Sequence, residues 1–391
     1  MRLVKLIKFN FYKNFFERIS VPPFYEEVYN NVNFQRTTNR HANLNKFKFS
    51  INITNFIPPF LDLKLNTSEI NFGSFKVSTH HGFLINFNVY KDFNDYLKIR
   101  LNAKRRKSLR SQQRKLENCF NISVKIFTKR IEKSQYALLF SAFKSMLQKR
   151  FKQKGEAHAA LRNWNFYEAS VNDLLEKKRA CLFVIYNEEE PISISLNYIY
   201  QNIFIGAFDA YNIDYKKFSL GSLMIFEKIK WCFSNNYDIY DLGWGDLKYK
   251  RELCDTVYKF KCHIVYHKNR VSKRFVAYAI SRLFILKMYY NQSLVTPIEK
   301  FRNKINRNKK MPKYQEQIIL TDYFNSTSAL DDTELAVQLD LDRNDNHFLK
   351  KYKYDFLFRT LEKSKDIVVF KIDSKEYMFK GKRKSCKLIF N

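Results

Sequence analysis

Glycine and proline are scarce in this sequence, with 8 and 7 among 391 residues. Long flexible or Pro-rich linkers are therefore excluded as a major part of the chain. Its six cysteines, Cys119, Cys181, Cys232, Cys254, Cys262 and Cys386, are scattered. No Cys-x-x-Cys pair occurs, and no histidine joins them at metal-ligand spacing. Neither a zinc site nor a dithiol redox motif is encoded, and the cysteines read as reduced and structural, as inside a cell. No run of about eighteen apolar residues is present, which excludes a membrane-spanning helix. Residues 1–20 place Lys5, Lys8, Lys13 and Arg18 among apolar side chains, so no clean apolar core for a secretory leader is available. These residues are expected to form a basic amphipathic helix, either docked on the protein or lying on a membrane surface. Acidic side chains are outnumbered, 38 against 70 Lys and Arg, for a formal net charge of +32.

Hydrophobic residues make up 45% and aromatics 17%, enough for real cores, so the chain is not disordered. Its length suits two domains and a small third unit. The positive charge attracts polyanions: nucleic acid, anionic lipid or phosphate-bearing ligands. A coding bias toward Lys, Asn, Phe, Ile and Tyr explains the same sum, and both readings stand.

The densest cluster of chemistry-bearing residues runs from Tyr237 to Arg251. A short apolar strand, Asp238–Leu242, breaks at Gly243-Trp244-Gly245-Asp246 and leaves on Tyr249-Lys250. A strand delivering a carboxylate, two permissive glycines, an aromatic and a cation points to the edge of a ligand cleft. A plain strand-turn-helix corner is the bland reading of the same residues.

Upstream, β-type segments are expected at Ile51–Ile57, Asn71–Thr79 and Phe83–Tyr90, with His80-His81 as a surface pair at a strand end. A helix begins near Asp92, a good N-cap. Leu97, Leu101, Leu109 and Leu116 share one face, while Lys98, Arg100, Lys104, Arg105, Arg106, Lys107, Arg110, Arg114 and Lys115 crowd the others. A strand at Ile122–Phe127 precedes two amphipathic helices, one burying Tyr136, Leu139, Phe140, Phe143, Met146 and Leu147, the other Trp164, Tyr167, Val171, Leu174 and Leu175. Strands Ala180–Tyr186, Ile192–Tyr200 and Ile203–Asp209 form a meander. A helix at Ser219–Asn235, strand Asp238–Leu242, strand Val257–His267 and a basic helix near Val271–Tyr290 follow. The order predicts an α/β layer fold, a mixed sheet with helices on its faces. A Lys/Arg/Asn-rich connector, Arg302–Lys313, leads to a tail with a helix at Phe348–Leu361 and a hairpin from Asp366–Ile372 and Glu376–Lys380.

Residues 95–267 resemble the GNAT acyltransferase superfamily, in particular its branch of FemAB-like and cellulose-biosynthesis-type acetyltransferases. Three features carry the likeness: the basic helix before a strand, the meander leading to Ser219-Leu220-Gly221-Ser222 at a helix start, and Asp241-Leu242-Gly243-x-Gly245-x-x-x-Tyr249-Lys250. The resemblance implies a tandem arrangement, with a degenerate N-terminal half over 1–120 and an intact domain over 121–295. A basic connector at 296–313 and a small α+β appendage at 314–391 complete it.

It implies acyl-CoA, most simply acetyl-CoA, as the donor, with no metal. The donor pyrophosphate belongs at Lys216, Ser219, Leu220, Gly221 and Ser222, where a helix N-terminus favours an anion. The superfamily has glycine where Ser219 stands, so the match is partial, and Ser219 as a simple helix cap is the alternative. Asp241, Tyr249 and Lys250 are the catalytic candidates: a carboxylate base or a residue that holds the loop through its N–H groups, a proton donor to the leaving thiolate or a packing ring, and a cation for an oxyanion or phosphate or a surface lysine. Glu168 and Asp209 are more remote candidate bases. Trp244, Asp246, Arg106 and Arg110 are candidates for acceptor binding.

The resemblance further implies a cytoplasmic enzyme, at most at the inner face of a membrane, acting on an amine or hydroxyl of a sugar-linked or surface-polysaccharide precursor. An aminoacyl-tRNA-dependent transferase is the first alternative. A non-enzymatic nucleic-acid or membrane binder is the second, its interleaved aromatics offering stacking surfaces.

Overall fold

The computed structural model describes residues 5–39, 44–66, 70–290, 318–320, 324–325 and 336–390. Among the described residues, twelve strands precede the appendage: β1 (Lys5–Asn10), β2 (Tyr25–Asn30), β3 (Arg36–Thr38), β4 (Ser50–Ile57), β5 (Leu61–Leu65), β6 (Phe72–Asn86), β7 (Ile122–Phe127), β8 (Ala180–Asn187), β9 (Glu190–Tyr200), β10 (Ile203–Tyr211), β11 (Ile239–Trp244) and β12 (Thr256–His267). The helices among them are α1 (Phe93–Arg100), α2 (Ala103–Cys119), α3 (Lys133–Lys154), α4 (Ala159–Arg162), α5 (Trp164–Glu176), α6 (Leu220–Ser234), α7 (Lys248–Leu253) and α8 (Val271–Tyr290). The C-terminal segments are β13 (Ile318–Leu320), β14 (Phe324–Asn325), β15 (Val337–Gln338), α9 (Lys350–Thr360), β16 (Val368–Lys371), β17 (Glu376–Lys380) and β18 (Lys384–Phe390).

A nine-stranded mixed sheet has the order β1-β4-β12-β6-β11-β10-β9-β8-β7. It contains two parallel pairs, β1 with β4 and β10 with β11. A separate small sheet, β13-β18-β17-β16-β15, belongs to the C-terminal segment. The α/β class and the small additional sheet are as expected.

Two compact, interleaved units make up the chain: residues 1–100, 198–206 and 232–310, and residues 101–197, 207–231 and 311–391. The divisions at 120 and 295 expected from sequence order do not coincide with these boundaries, and the appendage belongs to the second unit rather than standing apart. The connector 296–313 lies outside the described residues.

In the first unit, Ile51 and Ile53 of β4, Val77 of β6, and Cys262 and Ile264 of β12 form a core that Ala277 of α8 covers. The N-terminal segment corrects the expectation of a helix. Lys5–Asn10 pairs parallel with Ser50–Asn55 as an edge strand, and a π-helical turn follows at Lys13–Glu17. Ile7 and Phe9 are half-buried while Leu6, Lys8 and Asn10 between and beside them are exposed, an alternation of two rather than 3.6. Phe11, Phe15 and Phe16 are buried, so these residues are part of the fold and present no amphipathic helix to a membrane. The two β segments expected around His80-His81 are one strand, β6, that runs through them.

In the second unit the buried faces of α3 and α5 are those the periodicity predicts. The basic helix is broken. Asn102 adopts an extended conformation and its Oδ1 accepts the Arg105 N–H at 2.8 Å, so α1 ends and α2 starts anew. The tail forms the expected helix and hairpin, β16 pairing antiparallel with β17.

Candidate functional site

The acidic-glycine loop lies wholly in the first unit. Gly243 and Gly245 have φ of +71° and +101°, conformations that exclude most side chains. Asp241, which the sequence places as a carboxylate facing a cleft, is instead fully buried. Its Oδ1 accepts from Tyr258 Oη and the Gly243 N–H, both at 2.9 Å, and its Oδ2 accepts from Tyr12 Oη at 3.1 Å. Burial lifts its pKa to about 6, against the opposing pull of these three donors and of Lys250. A carboxylate enclosed in this way holds the loop. The structure therefore favours the loop-holding reading of Asp241 over the base. Gly82 makes room for the network, because a Cβ there would fall 2.2 Å from the Tyr258 ring.

Lys250 is no surface lysine. It is 6% exposed, and its Nζ donates to the Trp244 carbonyl at 2.7 Å and the Gly243 carbonyl at 3.4 Å. It closes α7 back onto the glycine loop. Asp246 forms a two-pronged ion pair with Arg251, 2.5 and 2.7 Å, near the surface. Tyr249 is 39% exposed and Trp244 61% exposed. Leu247, at 51%, and the Asp246 carboxylate are exposed beside them.

The helix tip lies in the second unit. A 3-10 turn at Ile213–Phe218 ends at Ser219, whose φ of +58° is left-handed. A non-glycine residue thus takes up the conformation for which glycine is the usual choice. The Ser219 carbonyl accepts from Ser222 N at 2.8 Å and Leu223 N at 3.2 Å, the first amides of α6 to bond back. The Leu220 and Gly221 amides precede that ladder, at the positive end of a fifteen-residue helix. Leu220 is buried, so it contributes its backbone alone. At Gly221 a Cβ would stand 3.4 Å from the Tyr211 ring, where one atom fits and a branched side chain does not. Lys216 is exposed on the turn, its carbonyl accepting the Ser219 N–H.

Arg105 Nη2 donates to Ser222 Oγ at 3.4 Å. Arg105 was one of nine clustered cations in the sequence, and only the helix restart at Asn102 marks its place as special. Arg106 turns back to the Leu101 carbonyl and Arg110 is exposed along α2. Glu168 is exposed on α5. Asp209 is committed elsewhere: buried Lys228 approaches its oxygens at 2.9 and 3.1 Å and Ser195 Oγ at 3.1 Å, and Ser195 also donates to Asp209. A lone lysine inside an otherwise apolar helix face was the signal for this pair.

The appendage supports the tip. Within the second unit α9 packs on the 3-10 turn: Tyr354 lies 4.4 Å from the Tyr215 ring, and Phe358 meets Phe218 edge-on at 5.2 Å. Lys115 of α2 stands 4.0 Å over the Phe358 ring, and Cys119 Sγ donates to the Leu357 carbonyl.

Residues 103–251 match the acetyltransferase (GNAT) domain family. The chain carries a GNAT domain. The match ends within the acidic-glycine loop's helix and contains the helix tip, so both places are parts of an acyltransferase domain. No curated protein matches the chain. Among solved structures, FemX is similar at 10% identity and a TM-score of 0.41, over 59% of this chain and 76% of that one. The L-PGS structure from Bacillus licheniformis shares 11% identity at a TM-score of 0.35, over 61% and 74%. A tandem GNAT protein from the clavulanic acid pathway shares 8% at 0.30, over 56% and 64%. Among the described residues the GNAT domain holds no cluster of side chains suited to a metal ion.

Proposed function

We propose that this protein transfers an acyl group from acyl-CoA to an amine or hydroxyl of a sugar- or lipid-linked surface precursor. The observation that carries the donor is the helix tip. The Leu220 and Gly221 amides, the α6 dipole and the Ser222 hydroxyl with Arg105 beside it form a cradle for a pyrophosphate. The departure from the family glycine is accommodated, because Ser219 takes the left-handed backbone that the turn requires.

In the reaction the acceptor nitrogen or oxygen attacks the thioester carbon. The new bond puts the charge on the carbonyl oxygen, the acceptor's proton passes to water, and the C–S bond breaks as the carbonyl reforms and the CoA thiolate departs. To Tyr249, exposed on α7, we assign the proton for that thiolate, the role the family resemblance implies. Asp241 and Lys250 act through the loop backbone, as positioning residues. We read residues 1–120 as the degenerate half of the tandem arrangement that the resemblance implies.

The acceptor class follows from the likeness to the FemAB-like and polysaccharide branch. A membrane-side acceptor is favoured by α8. Phe275, Leu283, Leu286 and Tyr289 are 63–71% exposed, and Lys273, Arg274, Arg282 and Lys287 accompany them with no acidic residue on the helix. Aliphatic side chains between cations suit an anionic bilayer surface. They offer little to nucleic acid, and a second copy of so basic a face would repel the first.

Calorimetric titration with acetyl-CoA and with aminoacyl-tRNA separates this reading from the tRNA-dependent alternative. The expected result is saturable binding of acetyl-CoA that Gly221→Val abolishes without unfolding. Binding of charged tRNA with none of acetyl-CoA overturns it.

A further inference from the structure

Three β-bulges occur in neighbouring strands of the first unit. Between the pairs Lys261↔Ile57 and His263↔Thr54, β4 carries one residue more than β12, at Asn55-Phe56. Between Lys259↔His81 and Lys261↔Ser78, β6 carries one more, at Thr79-His80. Between Asp241↔Leu84 and Trp244↔Gly82, β11 carries one more, at Leu242-Gly243. A bulge interrupts the alternation of a strand and re-aims the side chains beside it.

All three turn an aromatic ring to one place. Phe56 and His80 stack at 5.5 Å with their planes 12° apart, Phe56 lies 5.8 Å from Trp244, and His80 lies 6.3 Å from Trp244. Phe56 reaches this position at φ +59°, a left-handed conformation rarely adopted by a bulky residue. A single bulge with a strained residue is an ordinary irregularity. Three converging on one ring cluster, with the outermost ring 61% exposed, imply that the cluster is held open for a ligand.

We propose that Phe56, His80 and Trp244 form a stacking platform for a flat ring of the acceptor, a pyranose face or a nucleobase. Partial burial, and after it the charges of Lys287 of α8 and His81, favour the neutral form of His80. The platform is thus an uncharged ring surface with a cationic rim, suited to a ring that bears a phosphate. The inference deepens the acyl-transfer reading and rests on it for calling the ligand an acceptor.

The test reads binding without turnover. The intact protein is titrated with uridine diphosphate, with uridine and with a chitin-type oligosaccharide while tryptophan fluorescence is followed. The expected result is saturable quenching by one ring class, nucleoside or sugar. Trp244→Phe should remove the quenching while calorimetry still detects binding, and Trp244→Ala should weaken binding about tenfold or more, the scale of one lost stacking partner. Phe56→Gly relieves the left-handed strain but gives up the ring's contacts, so, whatever its thermal stability, it should weaken binding comparably. A fall in stability with unchanged affinity would make Phe56 a packing residue and overturn the proposal. So would quenching that survives in Trp244→Phe, or no response to any probe. Acetyl-CoA binding, measured separately by thermal shift, tells a failure of the platform from a failure of the acyl-transfer reading.

Discussion

From the first turn of α7, the Lys250 ammonium holds the carbonyl of Trp244 at the end of β11, at 2.7 Å. This bond fixes the backbone of a loop whose two glycines would otherwise leave it free to sample many conformations. It also makes Lys250 a poor candidate for direct contact with substrate, since the side chain is buried and spent on carbonyls.

Replacing it distinguishes the two roles. Lys250→Ala leaves two carbonyls without their donor and should cost about 1–3 kcal/mol of stability. A positioning residue should lower kcat of acyl transfer while acetyl-CoA binding by thermal shift stays unchanged. Lys250→Arg, which keeps the charge but puts a longer, planar head where a compact ammonium is buried, should not restore activity. Full turnover in Lys250→Ala, with the acceptor known, would remove the loop from the mechanism.

Asp241 should show itself in the pH dependence of stability. Its folded pKa, about 6, lies above the ordinary carboxylate value of 3.8, so the folded protein takes up the proton more readily than the unfolded chain. The stabilisation from that proton is complete below the unfolded pKa and is lost as pH rises through the folded one. Relative to Asp241→Asn, which does not titrate, the wild type should lose about 3 kcal/mol between roughly pH 4 and 7 and change little above. Denaturant unfolding of both proteins across this range gives the difference directly. A flat difference would place Asp241 in a more solvated setting than the structure shows.

The periodic parts of this fold were legible in the sequence, and the reasons are visible in particular residues. Tyr136, Phe140, Phe143 and Leu147 recur at helical spacing on α3, and that face is the one buried. The meander from Ala180 to Tyr211 is apolar and bounded by Asn187–Glu189 and Gln201-Asn202 turns. What failed depended on distant partners or on a single local bond. Tyr12, 229 residues from Asp241, cannot be paired with it from the sequence. Lys5–Asn10 is strand because β4 lies beside it, and six residues are too few to establish a period. Asn102 interrupts a helix whose apolar spacing runs on across the break, so the face alone gave no warning. The bulges at Phe56 and His80 leave no trace in composition, since no glycine marks either one.

The appendage had no functional reading from its sequence, and its packing supplies one. Tyr354 presses on Tyr215, within the turn that delivers Ser219 to its left-handed conformation. Tyr354→Ala should cost about 3–5 kcal/mol as a large buried aromatic lost from a packed site. Its signature beyond stability is donor affinity. Acetyl-CoA binding should weaken in Tyr354→Ala and recover in Tyr354→Phe, which keeps the ring and loses only the 3.4 Å hydroxyl contact to Tyr215. Equal donor affinity in all three proteins would make the appendage a bystander to the tip.

The outward face of α8 gives the last prediction. Leu283 and Leu286 are 64% and 63% exposed one turn apart, between Arg282 and Lys287. Each cation near an anionic surface contributes about 1 kcal/mol, and the inserted leucines add apolar burial. The wild type should float with vesicles containing phosphatidylglycerol and stay behind with purely zwitterionic ones. Leu283→Glu combined with Leu286→Glu should abolish flotation, because it replaces apolar contact with like charge facing the lipid. Both positions are solvent-exposed, so circular dichroism and acetyl-CoA binding should be unchanged in the double variant. If wild type and variant float equally, the bilayer is reached through another surface and α8 is released from the role. If neither floats but the wild type alone self-associates in light scattering, the face joins two copies of the chain instead.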